Sequence, residues 1–161
     1  MLMNITLKRP ETAEEIRGRA YVHWRAWHEA YQGIVSPDYL NRLTLEKCEQ
    51  VAFSLMDGCT VAKDGNRIIG FVSCGGQGEE HPETGEVFAI YVLAEYYGTG
   101  VGRMLMNTAL EQLKDYPRIC VHVLKGNVRA IRFYEKCGFV RDGEEQWIER
   151  LSAPVIRMIL Q

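Results

Sequence analysis

Tyr96-Tyr97-Gly98-Thr99-Gly100-Val101-Gly102-Arg103-Met104-Leu105-Met106 decides the fold. Before it runs Val87-Phe88-Ala89-Ile90-Tyr91-Val92, short and rich in β-branched and aromatic residues, which predicts a strand. After it, Val101, Leu105, Ala109, Leu110 and Leu113 recur at helical spacing. The glycines therefore sit where a strand turns into a helix. Three alternate glycines remove the Cβ atoms that would hold a ligand off the backbone. The first amides of a helix lack partners within it, and the helix dipole makes that end positive. Such a corner suits a phosphate or pyrophosphate.

Two nucleotide loops are excluded. A P-loop needs Lys and Ser/Thr after its last glycine, but Arg103 and Met104 follow Gly102. The dinucleotide fingerprint needs its third glycine three residues after the second, where Arg103 stands. A plain glycine-rich loop is the competing reading of this segment taken alone.

The spacing Tyr97-x-x-Gly100-x-Gly102 resembles the pyrophosphate loop of the GNAT superfamily of N-acetyltransferases. That family usually carries Gln or Arg where Tyr97 stands, but its contacts there are mostly main-chain amides. Asn127-x-x-Ala130-x-x-Phe133-Tyr134-Glu135-x-x-Gly138-Phe139, about thirty residues downstream, is similar to the family's other signature. The resemblance covers residues 85 to 140 well and the flanks loosely.

Length and composition agree with one domain spanning 1–161. The 161 residues are enough for a substantial core, and 47% hydrophobic and 25% charged residues are ordinary for a globular chain. A net charge of −2 gives no field drawing the chain to nucleic acid or acidic lipid. Five cysteines, Cys48, Cys59, Cys74, Cys120 and Cys137, form no Cys-x-x-Cys pair. That reads as reduced thiols in a cytoplasmic protein, without a disulfide framework or metal site. No apolar run reaches the ~20 residues that span a bilayer, and no signal-peptide pattern opens the chain.

In order, Asn4–Lys8 alternates as a first strand closed by Pro10, and Thr12-x-x-Glu15 reads as a capping box opening a long helix. Its stripe of Ile16, Ala20, Trp24, Trp27 and Tyr31 reads as core, and His28 as a structural histidine. Gly33 is expected to stop this helix, and Ser36-Pro37 to cap and start the next. Residues 45–56 continue as helix. Strands follow at 59–63 and 67–74, joined at Asp64-Gly65-Asn66. Residues 75–85 read as a solvated loop, 86–92 as strand and the next helix as reaching Asp115. A strand is expected at 118–124, a helix at 127–137 ended by Gly138, and strands at 139–142 and 155–160. The fold class is α/β (α+β): a mixed central β-sheet with helices on both faces, the layout of the GNAT fold.

The resemblance implies acetyl transfer from acetyl-CoA to a primary amine, a small molecule or peptide, by direct attack in a ternary complex. It implies that Tyr97, Gly98, Thr99, Gly100, Val101, Gly102 and Arg103 hold the pyrophosphate. Ile90, Tyr91 and Val92 would pair with the pantetheine arm and offer an amide to the thioester oxygen. Asn127 and Ala130 would line the other side. Tyr134 matches the family's general acid. Glu86, eleven residues before Tyr97, stands where histone-acetylating members carry their base, and strand alternation puts it with Phe88 and Ile90; a water chain as base, with Glu86 a solvated strand-end carboxylate, is the alternative. Tyr31, Gln32 and Ile34 would shape the acceptor pocket. No metal is called for, and self-association, common in the family, would make a homodimer. The rival readings are a non-catalytic acyl-CoA-binding module and, more remotely, a nucleotide-binding protein.

Overall fold

A computed structural model describes residues 4–161. Among the described residues, seven strands form one sheet in the order β1-β2-β3-β4-β5-β7-β6. They are β1 (Ile5–Lys8), β2 (Cys59–Asp64), β3 (Arg67–Gly76), β4 (Thr84–Val92), β5 (Arg118–Leu124), β6 (Phe139–Ile148) and β7 (Ala153–Leu160). Only β4 and β5 run parallel; every other pair is antiparallel.

The five helices are α1 (Ala13–Ala30), α2 (Pro37–Arg42), α3 (Leu45–Ser54), α4 (Val101–Gln112) and α5 (Val128–Lys136). The Thr12/Glu15 capping box forms on both sides, which satisfies two otherwise orphaned amides at the start of α1. Helix α1 lies against β3, and so does α4, on opposite faces. Phe71 of β3 meets Arg19 and His23 of α1, whereas Leu105 of α4 lies against the adjacent Gly70. The largest core joins Val22 of α1 and Val101, Leu105, Met106 and Ala109 of α4 to the sheet, with Ile131 and Tyr134 of α5. A smaller core of Ile16, Ala20, Cys48 and Ala52 fastens α3 to α1.

Several boundaries differ from expectation. Helix α1 stops at Ala30 with Tyr31 as C-cap, three residues before Gly33. Pro37 occupies the first turn of α2 as expected, but the Ser36 side chain makes no capping bond. Helix α4 ends at Gln112, with Leu113 as C-cap, not at Asp115. An unforeseen single turn of 3-10 helix, Ala94–Tyr96, sits between β4 and the glycines. β6 runs six residues past Asp142, held by β7 across an irregularity between Arg141 and Glu145. It is a charged, solvent-exposed edge strand, so no apolar alternation marked it.

The decisive irregularity lies in β4. Cys74 pairs with Val87 and Ser73 with Ala89, so Phe88 is an extra residue, a β-bulge. The register places Glu86, Ala89 and Tyr91 opposite alternate β3 residues, Gly75, Ser73 and Phe71. Glu86 therefore shares a face with Tyr91. Ile90, opposite Val72, is on the other face, which corrects the unbroken alternation expected from sequence.

Candidate active site

β4 and β5 pair over only four rungs, Thr84–Arg118 to Val87–Val121, and then part. Beyond that point Phe88–Val92 have no partner on their β5 side, while β5 continues on β7. The wedge opens into a cavity of about 710 Å³, the size of many small-molecule sites. Its floor is the splayed strands; α5 and the glycine corner form one wall, and α1 and the β6–β7 end form the other.

At the corner, Gly98 and Gly100 take positive φ, 75° and 91°, with open space where a Cβ would be. Gly100 is the N-cap of α4 and offers no side-chain bond to the helix start. The amides of Gly98, Gly100, Val101, Gly102 and Arg103 accordingly have no acceptor among the described residues. Thr99 differs: its amide and hydroxyl both donate to the Tyr96 carbonyl. Neither Thr99 nor Val101 has its side chain on the cavity, and Val101 is buried. Gly102 has another reason to be glycine, since a Cβ there would lie 3.3 Å from Phe133 of α5. The bare amides, the positive helix end and the absence of side chains fit a pyrophosphate.

Two guanidinium groups flank this corner. Arg103 donates to the Lys136 carbonyl at 3.0 Å. Arg129, at the start of α5, lies over the Tyr97 ring.

Asn127 caps α5: its Oδ1 accepts from the Ala130 amide at 3.2 Å. The cap fixes which end of the side chain is free, leaving the Nδ2 group to donate towards the cavity that Asn127 and Ala130 both line. Tyr134, one turn on, is only 7% exposed, yet its phenol oxygen has no partner among the described residues. No sealed side-chain polar atom among the described residues lacks a partner, so this hydroxyl must reach the cavity. Burial pushes the phenol well above its ordinary range, helped by Tyr31 and Cys137 and opposed by Arg129. It therefore stays protonated, as an acid must.

On the opposite wall, Trp27 Nε1 donates to the Tyr91 hydroxyl at 2.9 Å, and Tyr31 donates to the same oxygen at 3.4 Å. His23 stacks on Tyr91 at 5.9 Å. Burial, with Tyr31 next in weight, pushes the Tyr91 phenol well up, so this aromatic group is neutral and rigid.

The structure gathers Ile90, Tyr91, Val92, Tyr97, Gly98, Gly100, Gly102, Arg103, Asn127, Ala130, Tyr134 and Tyr31 around one cavity. Glu86 lies behind its surface, hydrogen-bonded to His122, and does not line it. Gln32 is exposed away from it, and Ile34 packs towards Gly126, because α1 ends before them. Of the three residues expected to shape the acceptor pocket, Tyr31 alone lines the cavity. His28 is structural as expected: its Nε2 lies 2.9 Å from the Leu43 carbonyl.

Sequence reading missed Phe88, His122, Arg129, Ile148, Arg150 and Leu151, all on the cavity, and left Trp27 as core. A polar His122 inside the apolar run Ile119–Leu124 was the available signal for one of them. All five cysteines are free and buried, as reduced thiols require. No helix of the described residues is long and apolar enough to cross a membrane.

Comparison with known proteins agrees with this geometry. The family model described as "Acetyltransferase (GNAT) family" matches residues 20–139. An uncharacterized N-acetyltransferase, YuaI, of Bacillus subtilis is 32% identical over 139 residues, covering 83% of this chain and 80% of that protein. The crystal structure of PH1933 from Pyrococcus horikoshii superposes with a TM-score of 0.77 at 23% identity, over 98% of both chains. The PaiA N-acetyltransferase of Thermoplasma acidophilum, solved with coenzyme A, gives 0.74 at 19% identity, over 96% of this chain and 98% of that one. The two superpositions show the shared fold.

Proposed function

We propose, from the premise that this chain belongs to the GNAT family of acetyltransferases and is an acetyl-CoA-dependent N-acetyltransferase, that it acetylates a primary amine by direct attack within a ternary complex. The observation that carries this reading is the parting of β4 from β5 beside a corner of five unpartnered amides. Acetyl-CoA would supply the activated acetyl group as a thioester.

Gly98, Gly100, Val101, Gly102 and Arg103 would hold its pyrophosphate through main-chain N–H groups, with Arg103 and Arg129 adding charge. The free edge of Ile90, Tyr91 and Val92 would pair with the pantetheine arm. An amide on that edge would polarise the thioester carbonyl. Asn127 would donate its Nδ2 group from the opposite wall. Tyr134 would protonate the departing sulfur.

The acceptor half of the cavity is lined by Trp27, Tyr31, Phe88, Ile148 and Leu151, with Arg150 nearby. Among the described residues no Asp or Glu lines it. A polyamine would find no carboxylate for its remote charges. The acceptor is therefore an amine whose neighbouring groups are apolar or anionic, from a small molecule or a peptide end.

The test is thiol release from acetyl-CoA across a panel holding benzylamine, lysine, an alanyl peptide and spermidine. Turnover with benzylamine or the peptide well above spermidine is expected. Tight acetyl-CoA binding with no turnover on any amine would replace this reading with that of a binding module.

A further inference from the structure

We infer that His122, and not Glu86, takes the proton from the acceptor amine, with Glu86 as the residue that positions it. The inference rests on the acetyltransferase reading and adds a residue to it. Glu86 and Cys120 are opposite each other in the parallel ladder, and Val87–Val121 is its last rung. His122 is thus the first β5 residue inside the opening, on the Glu86 face. Its side chain is 41% exposed and lines the cavity, whereas that of Glu86 is 15% exposed and does not.

Both Glu86 oxygens are engaged. Oε1 accepts from Gln77 Nε2 at 2.8 Å, and Oε2 lies 3.0 Å from His122 Nδ1. Gln77 also donates to Cys120 Sγ at 3.3 Å, which locks the carboxylate from behind. An ionised carboxylate only accepts, so Nδ1 carries the proton of the neutral ring. Nε2 then bears the free lone pair, and no described residue bonds it. A carboxylate fixing the tautomer of a ring whose other nitrogen faces a substrate cavity is the arrangement of a general base.

The charged and titratable groups around the ring are few. Glu86 comes from β4 and Cys120 from β5 itself; burial pushes that thiol up to about 11, so it is neutral. Arg157 of β7 is opposite His122 in the register, but Asp142 of β6 pairs with its guanidinium. Arg150 lines the same cavity.

In the step, the amine nitrogen forms a bond to the thioester carbonyl carbon while His122 Nε2 takes one N–H proton. The carbon–sulfur bond breaks, its electron pair stays on sulfur, and the sulfur takes the Tyr134 hydroxyl proton. The imidazolium then returns a proton to water and the phenolate recovers one. The sum is amide plus free thiol.

The test is the pH dependence of kcat for wild type, His122→Gln and Glu86→Gln, using the fastest of benzylamine, lysine and an alanyl peptide. Acetyl-CoA affinity is measured alongside by calorimetry. Wild type should lose activity on the acid side as the base protonates. His122→Gln should lower kcat on the order of 10²-fold and abolish that acid limb. Glu86→Gln should lower kcat by a smaller factor than His122→Gln and keep the acid limb, because the ring stays in place but loses the bond that fixes its tautomer. Acetyl-CoA affinity should change less than about twofold in either variant, as expected for residues off the phosphate corner.

His122→Gln retaining the wild-type rate and limb would overturn the inference while the acetyltransferase reading stands. No turnover in wild type on any amine would sink that reading itself. Glu86, Cys120 and His122 bring atoms within 4.8 Å of one another, close enough to grip a cation. Loss of wild-type activity on adding EDTA would therefore also overturn the base role.

Discussion

Arg129 lies across the mouth of the cavity on Tyr97. Its guanidinium carbon is 3.8 Å from the ring centroid, and its Nη2 donates to the phenol oxygen at 2.9 Å. The contact joins the start of α5 to the turn ahead of α4, two parts of one wall between which no backbone hydrogen bond runs among the described residues. Arg129 on the Tyr97 ring places a positive charge beside the corner.

Arg129→Ala should raise KM for acetyl-CoA by about tenfold, with a smaller effect on kcat, because one charge-assisted phosphate contact is lost. The increase should shrink at high ionic strength, where exposed charges are screened. Steady-state kinetics at low and high salt would check this. An unchanged KM at low salt would mean that Arg129 only packs on Tyr97.

Tyr134→Phe should lower kcat by about 10²-fold or more while leaving acetyl-CoA affinity and thermal stability nearly unchanged. Stability is spared because the hydroxyl makes no bond within the chain, so nothing inside loses a partner. Stopped-flow thiol release, calorimetry and a melting curve report the three quantities. A wild-type rate would remove Tyr134 from the acid role.

His23 makes the fold acid-sensitive. Burial, with Arg19 as a further cause, lowers the imidazole to about 4. The unfolded chain takes up this proton below about 6.5, so stability falls as pH drops from there towards 4. Below that window Glu15 takes over. Its bond from Lys63, the Glu11 amide and Lys8 hold its carboxyl far below the usual range. Its contribution is full above about pH 4.3 and is lost as pH falls further. Urea midpoints at pH 7, 5.5 and 4.5 should decline for wild type and decline less for His23→Gln. Parallel curves would refute the assignment.

The glycine-corner half of this cavity was legible because local chemistry makes it. Gly98 and Gly100 announce a strand-to-helix corner, whereas the capping bond from Asn127 to Ala130 appears only in the structure. The opposite half is made by pairings distant in sequence. The bulge at Phe88 depends on how β3 meets β4, and no property of residues 86–92 reveals it. Glu86 finds His122, thirty-six residues away, only through the parallel β4–β5 register. Ile148, Arg150 and Leu151 reach the cavity because an edge strand of charged residues, β6, runs longer than its composition suggests. Gln32 and Ile34 were misplaced because α1 ends on Tyr31, ahead of the glycine expected to stop it.

The central claim is that free main-chain amides at the bend, and along the unpaired edge of β4, grip acetyl-CoA. Titrating acetyl-CoA into 15N-labelled protein and following assigned amide resonances tests it most directly. The account predicts that Gly98, Gly100, Val101, Gly102, Arg103 and residues 89–92 shift together and saturate at one dissociation constant. Saturable binding that leaves these amides unmoved would contradict it.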